Sequence, residues 1–243
     1  MDILYIVGEG SKWGNNELKY SLRSLEKYGQ NYDRVFLTGF KPNFLNEKIH
    51  FLDIPDVNGW AVNHWNKVRQ TFLKTDISSD VLYMMDDVFF FKGIDLSYYP
   101  YYYKGELPET RNNNEYNNTL VNTREHLKYC NSFKNFTVHC PIKYNRAKFM
   151  GLEDHFYAFY KNDPEFVSVR SFYTNYYYSY DNDDEYDIRL HKDNKVRKLE
   201  NISIEDKIKE YDKLACWSMA DEIIPQVEDY LERNFPFKSK WEV

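Results

Sequence analysis

The 243-residue chain is poor in cysteine, glycine, basic charge and long apolar runs, and each shortage removes a class of protein. Its three cysteines, Cys130, Cys140 and Cys216, are odd in number and none are spaced as C-x-x-C. That argues against a disulfide framework or a cysteine zinc site and fits reduced, buried thiols. His139 precedes Cys140, but neighbours on a strand point to opposite faces, so the two would not act as base and nucleophile. A net charge of -6 argues against a nucleic-acid partner, whose phosphates need clustered Lys and Arg, although a basic face can sit on an acidic protein. The opening Met1-Asp2-Ile3-Leu4-Tyr5-Ile6-Val7 lacks the basic start and long apolar stretch of a signal peptide. No segment approaches the roughly 18 apolar residues of a membrane span. The expected location is the cytoplasm.

What the chain has in excess is aromatic: 19% of residues, with 23 Tyr and 17 Phe. Abundant Tyr, Asn, Lys, Phe and Ile together match an AT-rich coding bias, and exposed members would still stack on sugars or bases. Ile3 to Val7 reads as a buried strand stopped by Gly8-Glu9-Gly10-Ser11. Asn16 to Tyr28 reads as a helix, with Leu18, Leu22 and Leu25 on one face and Gly29 ending it. Arg34 to Thr38 and Lys48 to Ile54 are expected strands, Trp60 to Leu73 a helix, and Val81 to Met85 a strand ending on Asp86-Asp87. Strands alternating with helices imply crossovers and a largely parallel sheet. Beyond Lys92 the pattern weakens. Residues 96 to 125 read as a Tyr/Asn-rich loop or insertion, Phe136 to His139 as a strand, Asn145 to Tyr160 as helical and Val167 to Tyr178 as β-rich. Asp181 to Asp187 is an acidic run, Ile204 to Leu214 and Ile223 to Asn234 are expected helices, and neither repeat nor linker divides the chain. The expectation is one α/β domain over 1–243, with a nucleotide-binding half at 1–95 and an acceptor and metal half at 96–243.

In such sheets ligands collect at the carboxyl ends of the strands, where both Gly8-Glu9-Gly10-Ser11 and Asp86-Asp87 fall. The glycine turn has the spacing of neither a Rossmann fingerprint nor a P-loop, but it would let a nucleotide approach backbone N–H groups. Two acids between apolar runs are costly to bury unpaired. A divalent cation, Mg²⁺ or Mn²⁺, would resolve that cost and leave sites for phosphate oxygens; capping or pairing with Lys or Arg would resolve it equally. His139 is either structural, a nitrogen ligand or a proton-transfer group. Arg170, within Val167-Ser168-Val169-Arg170-Ser171-Phe172, is either a phosphate clamp or half of an internal ion pair. Asp221 carries the same ambiguity.

These blocks, in this order, resemble the stealth-type sugar-phosphate transferases, a group including bacterial capsule polymerases and the lysosomal-tag N-acetylglucosamine phosphotransferase. The opening strand and turn through Ser11, the stretch Asn16-Glu17-Leu18-Lys19-Tyr20-Ser21-Leu22-Arg23-Ser24-Leu25-Glu26, the run Leu82 to Phe90 around Asp86-Asp87, and His139-Cys140-Pro141 with Arg146 carry the resemblance. Arg170 and Asp221 are similar to its later Arg and Asp positions. Phage-borne glycosyltransferase-like proteins are similar as well. Met85 and Ala220 stand where the family has Asn, and Trp13 lies near where it has an acid. Asn63 and His64 are the nearest counterparts of another family block.

The resemblance implies a GT-A-like nucleotide-sugar-binding fold and a metal-dependent transferase taking a nucleotide-diphosphate sugar. Asp86, Asp87 and His139 would hold Mg²⁺ or Mn²⁺. Asp87, His139, Arg170 and Asp221 would do the chemistry, and Gly8, Gly10, Ser11, Asn16, Glu17 and Arg23 would shape the donor pocket. Sugar and sugar-phosphate transfer both stay open, as does the oligomeric state. The favoured acceptor is a glycan. One alternative is a phage-type enzyme acting on modified DNA bases through the basic stretch 189–198. Another is an inactive carbohydrate-binding module using Tyr98-Tyr99-Pro100-Tyr101-Tyr102-Tyr103.

Overall fold

Along the first strand, β1 (Asp2–Val7), Ile3, Tyr5 and Val7 face one hydrophobic cluster while Leu4 faces another, the period-2 alternation of a strand buried on both sides. A computed structural model describes residues 1–57, 59–162, 166–178, 186–188, 195–196, 199, 202–219 and 224–243. Helix α1 (Asn16–Tyr28) covers the first face with Leu18, Leu22 and Leu25, all fully buried, and its span is the expected one. A short β2 (Gly29–Gln30) follows, then β3 (Val35–Gly39) and β4 (His50–Leu52), the last shorter than the expected 48–54. Helix α2 (Trp60–Lys74) covers the second face with Trp65, Val68 and Phe72, and leads into β5 (Asp80–Met84).

After β5 the chain forms β6 (Val88–Phe90) and β7 (Ile94–Asp95). The expected loop over 96–125 contains a helix, α3 (Glu115–His126). Asn114 caps it, its side-chain oxygen accepting from the backbone N–H groups of Tyr116 and Asn117. Phe136 to His139 is not a strand; the strand is β8 (Ile142–Asn145), three residues beyond His139. The helix expected over 145–160 is broken into α4 (Arg146–Met150) and α5 (Glu153–Asn162). The β-rich reading of Val167 to Tyr178 is also wrong: this is helix α6 (Val169–Tyr177), with the Ser168 hydroxyl accepting from Ser171 N–H. The remaining elements are β9 (Lys195–Val196), α7 (Ile204–Lys209), β10 (Cys216–Met219) and α8 (Pro225–Asn234).

The main sheet is five-stranded in the order β4-β3-β1-β5-β8. β1, β3, β4 and β5 are parallel and β8 runs antiparallel beside β5. The chain is thus a mixed α/β protein with a mostly parallel central sheet flanked by helices. β3 lies on one side of β1 and β5 on the other, so the winding reverses at β1 and opens a crevice at the carboxyl ends. A second sheet, β6-β10-β9, extends this end of the molecule. Among the described residues no helix is long and apolar enough to cross a membrane. Among them, too, no cysteines form a disulfide; the Sγ atoms of buried Cys140 and Cys216 lie 4.0 Å apart.

The Tyr98–Tyr103 run is mostly core rather than a binding face: Tyr99, Tyr102 and Tyr103 are buried, and Tyr98 alone is well exposed. Of the basic stretch 189–198, only 195–196 lies within the described residues, and of the acidic run 181–187 only 186–187. Asp187 accepts from Gly105 N–H at 3.1 Å.

Candidate active site

β5 ends at Met84, and the chain turns through Asp86 and Asp87, closed by a Val88 N–H to Met85 carbonyl bond of 3.3 Å. Beyond the turn, β6 is clamped from two sides. Ser21 on α1 donates to the Val88 carbonyl at 2.6 Å, and Ser24 accepts from Phe90 N–H at 3.0 Å. On the other edge β10 pairs with β6, placing Ser218 opposite Val88. Both acids are therefore fixed at the rim by elements from three parts of the sequence.

Asp87 Oδ2 accepts from Ser218 Oγ at 3.1 Å and lies 3.6 Å from His139 Nδ1. Asp86 is half-buried, and burial, then Asp87, then Glu17, push its pKa up to about 8. One Glu17 carboxylate oxygen is buried with no hydrogen-bond partner, as is the Oδ1 of Asn15, which precedes α1 in a left-handed conformation at φ 60°. The rim is thus a crowded set of hard oxygen donors, and the negative charges of Asp87 and Glu17 repel that of Asp86.

Beside the acids lies Arg170 at the start of α6. Its Nη1 donates to the Val138 carbonyl at 2.6 Å and lies 3.4 Å from Met85 Sδ, while its Nε has no partner. Among the described residues no carboxylate pairs with it, so the internal ion pair weighed for Arg170 is not what holds it there. Tyr144 and His64 share a 3.0 Å hydrogen bond next to it, and burial first, Arg170 second, hold the His64 pKa well below its ordinary value. Burial likewise raises the Tyr83 hydroxyl pKa.

On the other side of β1, a cavity of about 280 Å³ opens at the ends of β1, β3 and β4. Gly8, Glu9, Phe40, Phe51, Asp53 and Asp56 are among its walls. Its floor is Lys67, 2% exposed, whose ammonium donates to the Val7 carbonyl at 2.9 Å and to Asp56 Oδ1 at 2.5 Å. Gly8 packs closely here, since a Cβ there would sit 3.1 Å from Asp56 Oδ2 and press on that side chain.

The structure therefore brings together Asp86, Asp87, His139, Arg170 and Glu17 at one rim, with Gly8 in the adjoining cavity. Ser11 holds the intervening turn, accepting from Trp13 and Asn15 N–H groups at 3.2 and 2.8 Å. Asn16 begins α1 beside it, and Gly10 is exposed. Arg23 is directed elsewhere. It makes a bidentate ion pair with Glu242 at 2.7 and 2.6 Å and donates to the Phe235 carbonyl at 2.8 Å, tying α1 to the C-terminal segment. Asp221 lies outside the described residues. Ser218, Lys67 and Asp56 are not marked by any sequence motif. A lysine on a helix face that also buries Trp65 and Val68 is the one available signal.

Among the described residues no group of three or more His, Cys, Asp or Glu side chains encloses a metal position. No family model matches the chain, and no curated protein does. Among solved structures, the chain is similar to a galactosyltransferase solved with donor and acceptor sugar analogues, at 16% identity and a TM-score of 0.29. That match covers 38% of this chain and 40% of the galactosyltransferase chain.

Proposed function

We propose that the protein is a metal-dependent transferase that takes a nucleotide-diphosphate sugar and passes the sugar, or the sugar phosphate, to a glycan acceptor. The observation that carries this reading is the acid pair at the carboxyl end of β5, beside the winding reversal, with a buried arginine next to it that has no carboxylate partner among the described residues. Mg²⁺ or Mn²⁺ fits the residues present: oxygen-rich ligands, an Asp86 carboxyl whose pKa is raised by burial and then by Asp87 and Glu17, and few enough protein ligands to leave positions for phosphate oxygens. Asp87 and Asp86 would hold it. Bound there, the ion would offset negative charge developing on the donor's phosphates, whether a nucleoside diphosphate leaves in sugar transfer or a nucleoside monophosphate in sugar-phosphate transfer.

The remaining work falls to the chain's own groups. Arg170, with an unpartnered Nε, offers a fork for a phosphate oxygen in a site of low dielectric. Ser218 fixes one Asp87 oxygen and so sets the orientation of the carboxylate. His139 would accept a proton from an incoming acceptor hydroxyl, and Asp221 is a second candidate for that role. The cavity walled by Gly8, Phe40 and Phe51 suits the nucleoside, its flat faces for the base and its carboxylates for N–H or ribose hydroxyl donors. Gly10 and Ser11 belong to the segment that leads from Gly8 into α1, whose first residues are Asn16 and Glu17.

The test is a thermal-shift series of nucleotide diphosphates and their sugars with Mn²⁺, Mg²⁺ or EDTA. A ligand at 100 times its Kd adds about 2.7 kcal/mol. A shift that needs the metal and disappears in Asp87→Asn is the expected result. Glycan binding without any donor or metal response would instead mark a carbohydrate-binding module, and salt-steep retention on DNA a base-modifying enzyme.

A further inference from the structure

Toward the opposite end of α6 the structure holds a second cavity, of about 420 Å³, lined by Tyr129, Cys130, Asn131, Ser132 and residues 175 to 178. It is separate from the acid pair. Arg170 contacts Met85 near the start of α6, and Tyr176 lies six residues on, roughly 9 Å along the helix. The next turn of α6 faces the far end of the sheet, where the Tyr173 hydroxyl accepts from Asn145 N–H and Asn145 pairs with Asp80 at the start of β5.

The cavity is a built one. Asn175 is 4% exposed and its amide makes four hydrogen bonds, its full capacity. Its oxygen accepts from Ser132 Oγ and Lys134 N–H, both at 2.8 Å, and its nitrogen donates to the Lys134 and Ser171 carbonyls at 2.8 and 2.7 Å. The loop 129–134 is thereby locked against α6. Tyr177 is fixed by donating to the Lys148 carbonyl at 2.8 Å, and Lys148 stands over the Tyr178 ring at 4.3 Å. On this rigid base two rings are left to solvent: Tyr129 is 88% exposed and Tyr176 43%. Lys128 approaches one face of Tyr129 at 5.1 Å, and Asn131 stands exposed beside it.

We propose that this cavity binds a neutral glycan, holding a sugar chain away from the place where the acid pair would act. Aromatic faces match the C–H face of a pyranose, and the phenolic and amide groups match its hydroxyls. The described lining residues carry no carboxylate to draw a cation and no arginine fork for a phosphate, and the two neighbouring ammonium groups, of Lys128 and Lys148, each lie on a tyrosine ring of the cavity. A preorganised floor avoids ordering costs that would otherwise consume weak stacking energy. The proposal does not depend on the transferase reading, since a glycan would bind here whether or not the acid pair is catalytic.

The experiment is saturation-transfer NMR on the full chain in EDTA, with maltotetraose, cellotetraose and chitotetraose as probes. The expected result is transfer to at least one probe, weakened at least tenfold in affinity by Tyr129→Ala, an exposed position where folding is not at stake. Tyr176→Phe should keep the binding, and Asp87→Asn should leave it unchanged. Silence from all three probes overturns the proposal. So does binding that survives Tyr129→Ala combined with Tyr176→Ala, or that vanishes in Asp87→Asn, which would move the sugar to the acid pair.

Discussion

Replacing Arg170 by Met separates a ligand-facing arginine from a structural one. In the folded protein the guanidinium has one strong acceptor, the Val138 carbonyl at 2.6 Å, and no described carboxylate partner. A charged hydrogen bond of this kind contributes about 1.5–3 kcal/mol, and stranding the carbonyl costs about 1–3 kcal/mol. Against this, keeping an unpaired cation out of water costs several kcal/mol even after relaxation. Met fills similar volume beside Met85 and restores apolar contact at the cost of the polar one. The two terms nearly cancel, so Arg170→Met should unfold in urea with a stability within about 1 kcal/mol of the parent. Donor binding or turnover should nevertheless fall by about 100-fold or more, as expected when a preorganised donor to a developing charge is removed. The assay is a paired one: urea melts with an unchanged m-value, and nucleotide-sugar binding on the same preparation. A loss of more than about 3 kcal/mol with ligand affinity intact would refute the reasoning, because it would make Arg170 a tether for the segment around Val138.

Gly39→Ala should destabilise by about 3 kcal/mol or more in urea melts: φ is +118°, and the new Cβ would lie 2.1 Å from the Val7 carbonyl and 2.7 Å from Lys67 Nζ. His64 is buried neutral with its pKa depressed, so the unfolded chain takes up a proton below about pH 6.5 that the folded chain refuses. His64 therefore contributes a fall of about 1.4 kcal/mol per pH unit below that point, down to its folded pKa, which Asp86 opposes because its raised pKa makes the folded chain the better proton binder there; in urea melts between about pH 6.5 and 5, His64→Gln should make stability rise more steeply with falling pH by that amount. Lys67→Met should weaken nucleotide binding about tenfold while leaving turnover at saturating donor unchanged, since Asp56, with its side chain 43% exposed, is freed from its tie while the acid pair keeps Ser218.

The parts of this structure that were legible are those where local pattern and tertiary environment agree. Leu18, Leu22 and Leu25 with Gly29 set the span of α1, and the apolar run into Asp86 placed the acid pair at a strand end. α6 was not legible because Val167, Val169, Phe172, Tyr173, Tyr176 and Tyr177 carry strand propensity, yet they pack as a helix against α2 and α3, and packing outweighs propensity. Ser168 with Ser171 three residues on was the cap signal that ran against the aromatic content. α3 was hidden by its polarity: its buried face is Thr119, Leu120, Val121, Asn122 and Thr123, too mixed to show a period. In the site, His139 and Arg170 were named from sequence, whereas Ser218 depended on the pairing of β10 with β6, a contact across roughly 130 residues that no local pattern encodes.

The two halves of the rim share one support. His64 and Lys67 are three residues apart on α2, so they lie on one side of the helix and point toward the sheet. Lys67 reaches under the ends of β1 and β3 to Asp56, while His64 packs on Tyr83 at 4.5 Å and bonds Tyr144, beneath the end of β5. The helix thus sets the distance between the cavity walled by Gly8 and the acid pair on the far side of β1. Its own position is fixed by Trp65, Val68 and Phe72 in the core, residues that face neither feature. A shift of α2 would move both together. Placing polar contacts on a face adjoining the packed one lets the core, whose density resists sub-ångström change, act as the ruler between the cavity and the acid pair.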